Sequence, residues 1–150
     1  MLNIESLRNE IMDTLNNGTS LTVYRGGVPT TETIRYENGN LIPYAVCNFS
    51  EVIPGRDRSF IGARGDGYVF VFRIYVIAKD VEIAENWQSR IDDLMIGYAP
   101  AESGEINKRF GGGVYTMYNE RGGIEAFTTA ATYNFQMQLM TQPDPVAPGS

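Results

Sequence analysis

Residues 68–105 read YVFVFRIYVIAKDVEIAENWQSRIDDLMIGYAPAESGE, and this stretch decides the fold class. From Tyr68 to Lys79 the residues alternate with the period of a β-strand. Tyr68, Phe70, Phe72, Ile74 and Val76 point one way, and Val69, Val71, Arg73, Tyr75 and Ile77 the other. Both sets are largely apolar, so the spacing predicts a central strand covered on both sides, by helices or by a neighbouring subunit. Asp80 then supplies a side-chain acceptor for the free N–H groups that open a helix. The helical period predicts a buried stripe of Ile83, Trp87, Ile91 and Leu94, with Glu82, Glu85, Ser89, Asp92 and Asp93 turned away from it.

Working outward, Ile4, Leu7, Ile11 and Leu15 recur at helical spacing behind Asn3, and Asn17-Gly18 tolerates the left-handed backbone that ends helices. Thr19–Tyr24 and Thr30–Tyr36 read as strands. Glu37-Asn38-Gly39-Asn40 is a hairpin turn, and Leu41–Phe49 is a strand whose Pro43 belongs at an edge. Residues 51–67 read as a long polar loop. Val114–Tyr118 and Ile124–Leu139 are two further strands. The order predicts an α+β domain: a mainly antiparallel sheet of about four to six strands packed with two main helices, at about 3–16 and 81–95. Residues 1–140 form a single domain in this reading, and 141–150, with three prolines, a flexible tail.

Composition narrows the chemistry. The chain has 150 residues, 43% of them hydrophobic and 20% charged, which is globular composition. No apolar run is long enough to span a bilayer. The first residues lack a secretory leader's basic and apolar regions, so a cytoplasmic site of synthesis is expected. Histidine is absent, which removes the commonest general base and metal ligand. The one cysteine, Cys47, reads as a small core hydrophobe. Asp80, Glu82, Glu85, Asp92, Asp93, Glu102 and Glu105 face a single base, Arg90, so this segment alone carries the chain's net charge of −6. A sequence-reading nucleic-acid binder needs a basic stripe instead.

Several motifs have bland readings that outweigh the chemical ones. Gly111-Gly112-Gly113 is followed by strand residues, not by the helix that a phosphate cradle needs, and reads as a hinge or strand start. Asp92, Asp93, Glu102 and Glu105 match no calcium or magnesium loop and read as a solvated acidic face. Arg64-Gly65-Asp66 and the sequons at Asn17 and Asn48 are short patterns that arise by chance. The loop at 51–67 carries Arg56, Arg58, Phe60, Ile61 and Arg64, a set suited to contacts between subunits.

Leu94-Met95-Ile96-Gly97-Tyr98-Ala99-Pro100, followed by Gly104-Glu105-Ile106, resembles the segment after the second helix in tail terminator proteins of long-tailed phages. There a helix ends in a Leu-x-x-Gly-Tyr-x-Pro pattern. The order of elements over about residues 1–140 is also similar. The resemblance implies a structural virion protein, not an enzyme and without cofactors. It would be a subunit of a ring, typically a hexamer, assembled in the host cytoplasm. That ring caps the tail tube and joins it to the head connector. Gly97, Tyr98, Pro100, Gly104 and Glu105 would form the motif loop. Implied partners are other copies of the chain, the tail tube protein, a connector or stopper protein, and double-stranded DNA passing without sequence-specific contact. Glu82, Glu85, Asp92 and Asp93 would face the lumen or the outer solvent. The alternatives are a head-tail stopper or other tube component and, from a different class, a small metal-dependent hydrolase or ligand-binding domain using Asp92, Asp93, Glu102 or Glu105.

Overall fold

A computed structural model of the chain describes residues 4–29, 34, 36–54 and 68–137. The predicted α+β fold is present. In chain order the elements are α1 (Ile4–Gly18), β1 (Thr22–Arg25), β2 (Tyr36–Glu37), β3 (Asn40–Leu41), β4 (Tyr44–Pro54), β5 (Tyr68–Ala78), α2 (Val81–Met95), β6 (Asn107–Tyr118) and β7 (Ile124–Met137). Five strands form one sheet in the order β1-β4-β5-β7-β6, and β2 pairs with β3 in a separate hairpin. Neighbours in the main sheet run antiparallel except β1 and β4, which are parallel. A parallel pair needs a crossover. Here the crossover contains the β2–β3 hairpin, turned at Asn38 and Gly39, both with positive φ.

Both helices lie on one face of the sheet. Leu7, Ile11 and Leu15 of α1 and Ile91 and Met95 of α2 share a buried cluster with Val23, Ala45, Cys47, Phe70, Phe72, Ile74, Val76, Ala131, Tyr133 and Phe135. The register sets Phe70 against Phe135 and Phe72 against Tyr133. Their rings stack at 4.9 Å and 5.4 Å between centroids. Such pairs add roughly 0.5–1.5 kcal/mol each beyond their buried area.

Among the described residues, the second face of the sheet is covered only in part. Leu41 of the hairpin packs on Ile77 and Ala126, with Tyr44, Val46, Tyr75 and Met117 around them. Farther along β5, Val69 and Val71 are half-buried and Arg73 is exposed. The expectation of a strand covered on both sides holds in full for the helix face; on the other face, among the described residues, a short hairpin covers one end.

Several boundaries differ from those the sequence predicts. Leu41–Phe49 divides into β3 and β4, and β4 continues to Pro54 with a register shift between Phe49 and Glu51. The triple glycine lies inside β6 rather than ahead of it, in a strand with three register shifts. Gly111 has φ 115°, and a Cβ there would sit 2.2 Å from the Ala130 carbonyl oxygen, so β7 comes too close for any side chain. Gly18 is the last residue of α1 and has no left-handed φ. A Cβ on it would sit 2.6 Å from Leu94 Cδ2. Its small size lets α2 approach, which replaces the capping role that the sequence predicts for it.

Helix α2 begins where predicted. Asp80 is its N-cap, its carboxylate accepting from the Ile83 N–H at 2.9 Å. The helix is nevertheless rotated from the predicted stripe. Ala84, Gln88, Ile91 and Met95 are buried, while Ile83, Trp87 and Leu94 are only partly so.

Candidate functional site

The rotation of α2 changes the fate of its acids. Glu82, Glu85 and Asp93 are exposed, as the acidic-face reading expects, but Asp92 is turned toward the sheet. Its Oδ1 accepts from the Tyr133 hydroxyl at 2.6 Å and from Gln88 Nε2 at 3.0 Å. Its Oδ2 pairs with Lys108 Nζ at 2.7 Å, both side chains being about four-fifths buried. Gln88 Oε1 accepts from Thr129 Oγ1 at 2.7 Å, and Thr129 Oγ1 accepts from the Val76 N–H at 3.2 Å. The placement of Asp92 on a solvated face is thus corrected. A helix packed over a sheet edge buries whichever side reaches the polar groups of β6 and β7, and Gln88, Asp92, Tyr133, Thr129 and Lys108 satisfy one another there.

This network is not arranged as an acid–base pair. Burial, and then the hydrogen bond to Asp92, push the Tyr133 hydroxyl well above the usual phenol range, so it stays protonated. Both Asp92 oxygens already face donors. Asp93 is exposed beside it, and Glu102 and Glu105 are exposed on the following loop. Among the described residues no group of three or more His, Cys, Asp or Glu side chains is placed to hold a metal ion. Cys47 is buried, and desolvation pushes its thiol up to about 12. A thiol so raised is a poor nucleophile.

The motif loop is a built element, fastened at several points. Gly97 takes φ 88° straight after α2, a left-handed value that favours glycine. Its N–H donates to Ile106 O at 2.9 Å, and the Ile106 N–H returns a bond to Tyr98 O at 2.8 Å. These two bonds close the base of the loop. Pro100 is buried. The Ser103 N–H donates to Pro100 O at 2.9 Å, and the Gly104 N–H reaches Gln136 O of β7 at 2.8 Å. Glu105 is exposed.

The other anchor comes from α1, and sequence reasoning missed it. The Tyr98 hydroxyl donates a short hydrogen bond to the Glu10 carboxylate. The Ala101 N–H donates to the same carboxylate at 3.1 Å and 3.2 Å. Burial, then the bond to Glu10, raise the Tyr98 hydroxyl above the usual range. Glu10 reads as an ordinary helix-surface acid in the sequence, and no local signal marks its partner 88 positions away.

Of the residues predicted to make subunit contacts, Arg56, Arg58, Phe60, Ile61 and Arg64 lie outside the described residues. Large apolar side chains are instead exposed on β6 and at the start of β7: Phe110 at 61%, Tyr115 at 58%, Tyr118 at 64% and Ile124 at 61%. Phe110 pairs with Thr132 and Tyr115 with Thr128, which puts both on the sheet face away from the helices. No helix is long and apolar enough to cross a membrane among the described residues.

The site and fold define an α+β protein with an anchored post-helix loop and a partly uncovered sheet face. Comparison of the chain with protein-family models and with curated proteins finds no match.

Proposed function

We propose that this chain is a tail terminator subunit of a long-tailed phage, a ring-forming protein that caps the tail tube and joins it to the head connector. The observation that carries the reading is the loop from Leu94 to Glu105. Its Gly-Tyr-Ala-Pro sequence resembles that family. It is clamped to α1 by Glu10 and to β7 by Gln136, as suits a fixed structural element. The exposed aromatic residues of β6 add support, since a free-standing subunit seldom presents several together unless a partner covers them. In this role the protein performs no chemistry. It binds its own copies, the tube end and the connector, and it encloses a lumen through which double-stranded DNA passes.

Electron microscopy of the purified protein, alone and mixed with tail tube subunits, tests this. Rings alone, or rings seated on one end of tubes, are expected. A protein that stays monomeric at high concentration and leaves tubes bare would overturn it. A head-tail stopper, the neighbouring alternative, would bind the connector and ignore the tube end.

A further inference from the structure

Among the described residues, the part of this sheet face beyond the hairpin is open, and it has room for a helix. Val69, Val71 and Arg73 of β5 and Phe110 and Tyr115 of β6 flank β7 on the face opposite the helices. Three adjacent strands span about 10 Å, and a helix with its side chains is about as wide. The same three strands carry α2 on their other face. The cross-strand neighbours of Arg73 are Asn48 and Thr132, both uncharged. Among the described residues the ion pairs are Arg8–Glu5, Arg25–Glu5 and Lys108–Asp92, so Arg73 belongs to none.

The outer side of α2 has the complementary character. Glu82, Glu85, Ser89 and Asp93 follow one another at helical spacing, all exposed, and the stripe ends at Ile96, which is 48% exposed. None of these acids belongs to an ion pair among the described residues. Arg73 offers the carboxylates of this stripe one ion-pair partner, and the apolar side chains around it offer Ile96 a place to pack.

We infer that the face made by Val69, Val71, Arg73, Phe110 and Tyr115 is the docking surface for the outer side of α2 of a second copy of this chain. The pairing is head-to-tail. A symmetric sheet-on-sheet contact centred on β5 would set two Arg73 guanidinium groups against each other, which like-charge repulsion opposes. Head-to-tail contacts close into rings when their rotation allows, and the ring itself rests on the function proposed above. The acids of α2 then lie at the joint between subunits rather than on the lumen wall.

Sedimentation velocity on the full chain tests the pairing, with Arg73→Glu in one protein and Glu82→Arg plus Glu85→Arg in another. Each variant alone is expected to self-associate at least about tenfold more weakly than the parent, since a central contact is lost and repulsion added. An equimolar mixture of the two is expected to recover a stable complex, because one protein retains the seat and the other the acidic helix. Near-ultraviolet circular dichroism checks that each variant folds. Should Arg73→Glu fail to fold, Phe110→Ser on the edge strand weakens the same seat.

Variants that associate like the parent overturn the inference, as does a mixture that recovers nothing or a parent chain that never self-associates. Capping of tail tubes is scored separately by microscopy. Variants that assemble normally and still cap tubes remove this pairing and leave the terminator reading intact. A chain that self-associates through these faces but leaves tubes bare removes the terminator reading alone. Loss of tube capping with self-association intact assigns the face to the tube protein, and that result also overturns the pairing between copies.

Discussion

At the residue scale, the most informative contrast is between two adjacent acids. Asp92 accepts from Tyr133, Gln88 and Lys108 inside the fold, whereas Asp93 is exposed. Truncating Asp92 strands three donors at once. Asp92→Ala is expected to destabilise the protein by about 2–3 kcal/mol in urea unfolding, while Asp93→Ala should stay within about 0.5 kcal/mol. Equal effects would show that the network adds nothing to stability. Alkaline pH probes a second set of groups, two buried and one partly buried. Cys47, Tyr98 and Tyr133 all have their acidic protons held more tightly in the folded chain. The unfolded chain releases those protons first, so folding stability is whole below the ordinary range and falls as pH rises. For Cys47 the window runs from 9.0 to about 12. Denaturant unfolding across that range should show declining stability, with a shallower decline in Cys47→Ala. An unchanged slope in that variant would remove the thiol as a contributor.

At the scale of elements, the contact between α1 and α2 is set by one missing side chain. A Cβ at Gly18 would meet the Leu94 side chain at 2.6 Å and 2.8 Å. Gly18→Ala is a favourable change for an isolated helix, yet here it overpacks the contact. The clash falls on the end of a half-buried leucine that can turn aside, so the net cost should stay below about 1 kcal/mol. Combined with Leu94→Ala, which opens that space, the loss should be clearly less than the sum of the two single changes. Additive losses in thermal unfolding would show that the close approach is not what glycine supplies. The loop after α2 follows the same logic. Gly97 was legible as part of the motif loop, but its left-handed φ and the partner Glu10, which holds the loop's far side, were not. A side chain's partner across 88 positions leaves no mark on local periodicity.

At the scale of the whole molecule, two surfaces among the described residues differ in charge. The outer side of α2 presents Glu82, Glu85 and Asp93 with one base, Arg90, and the opposite sheet face presents Arg73 with Phe110 across β7 from it and Tyr115 farther along, level with Ile77. Association through these surfaces has an electrostatic and an apolar part, which salt separates. Raising ionic strength from about 0.1 M to about 1 M shortens the screening length from roughly 10 Å to roughly 3 Å. Self-association should weaken over that range without vanishing, since burial of Phe110 and Tyr115 is not screened. Association that is indifferent to salt in sedimentation would exclude the pairing of Arg73 with the acidic stripe.

The sequence alone determined both helices, the long strands β5 and β7, and the α+β class. Alternation marked β5 and β7, the helical period marked α1 and α2, and Asp80 and Asn38-Gly39 marked a cap and a turn. These features come from each residue's nearest neighbours along the chain, so they can be read one segment at a time. Tertiary structure decided the rest. It placed both helices on one face, made β1 the parallel neighbour of β4, drew Asp92 inward and left Asp93 outside, and tied Tyr98 to Glu10. The α2 stripe shows why. By apolar content Ile83, Trp87 and Leu94 outrank Ala84 and Gln88, but α2 crosses a sheet whose Tyr133 and Thr129 carry buried hydroxyls. Leaving those hydroxyls unpaired costs about 1–3 kcal/mol each. That cost exists only once β7 lies beneath the helix, so it could not be read from α2 itself.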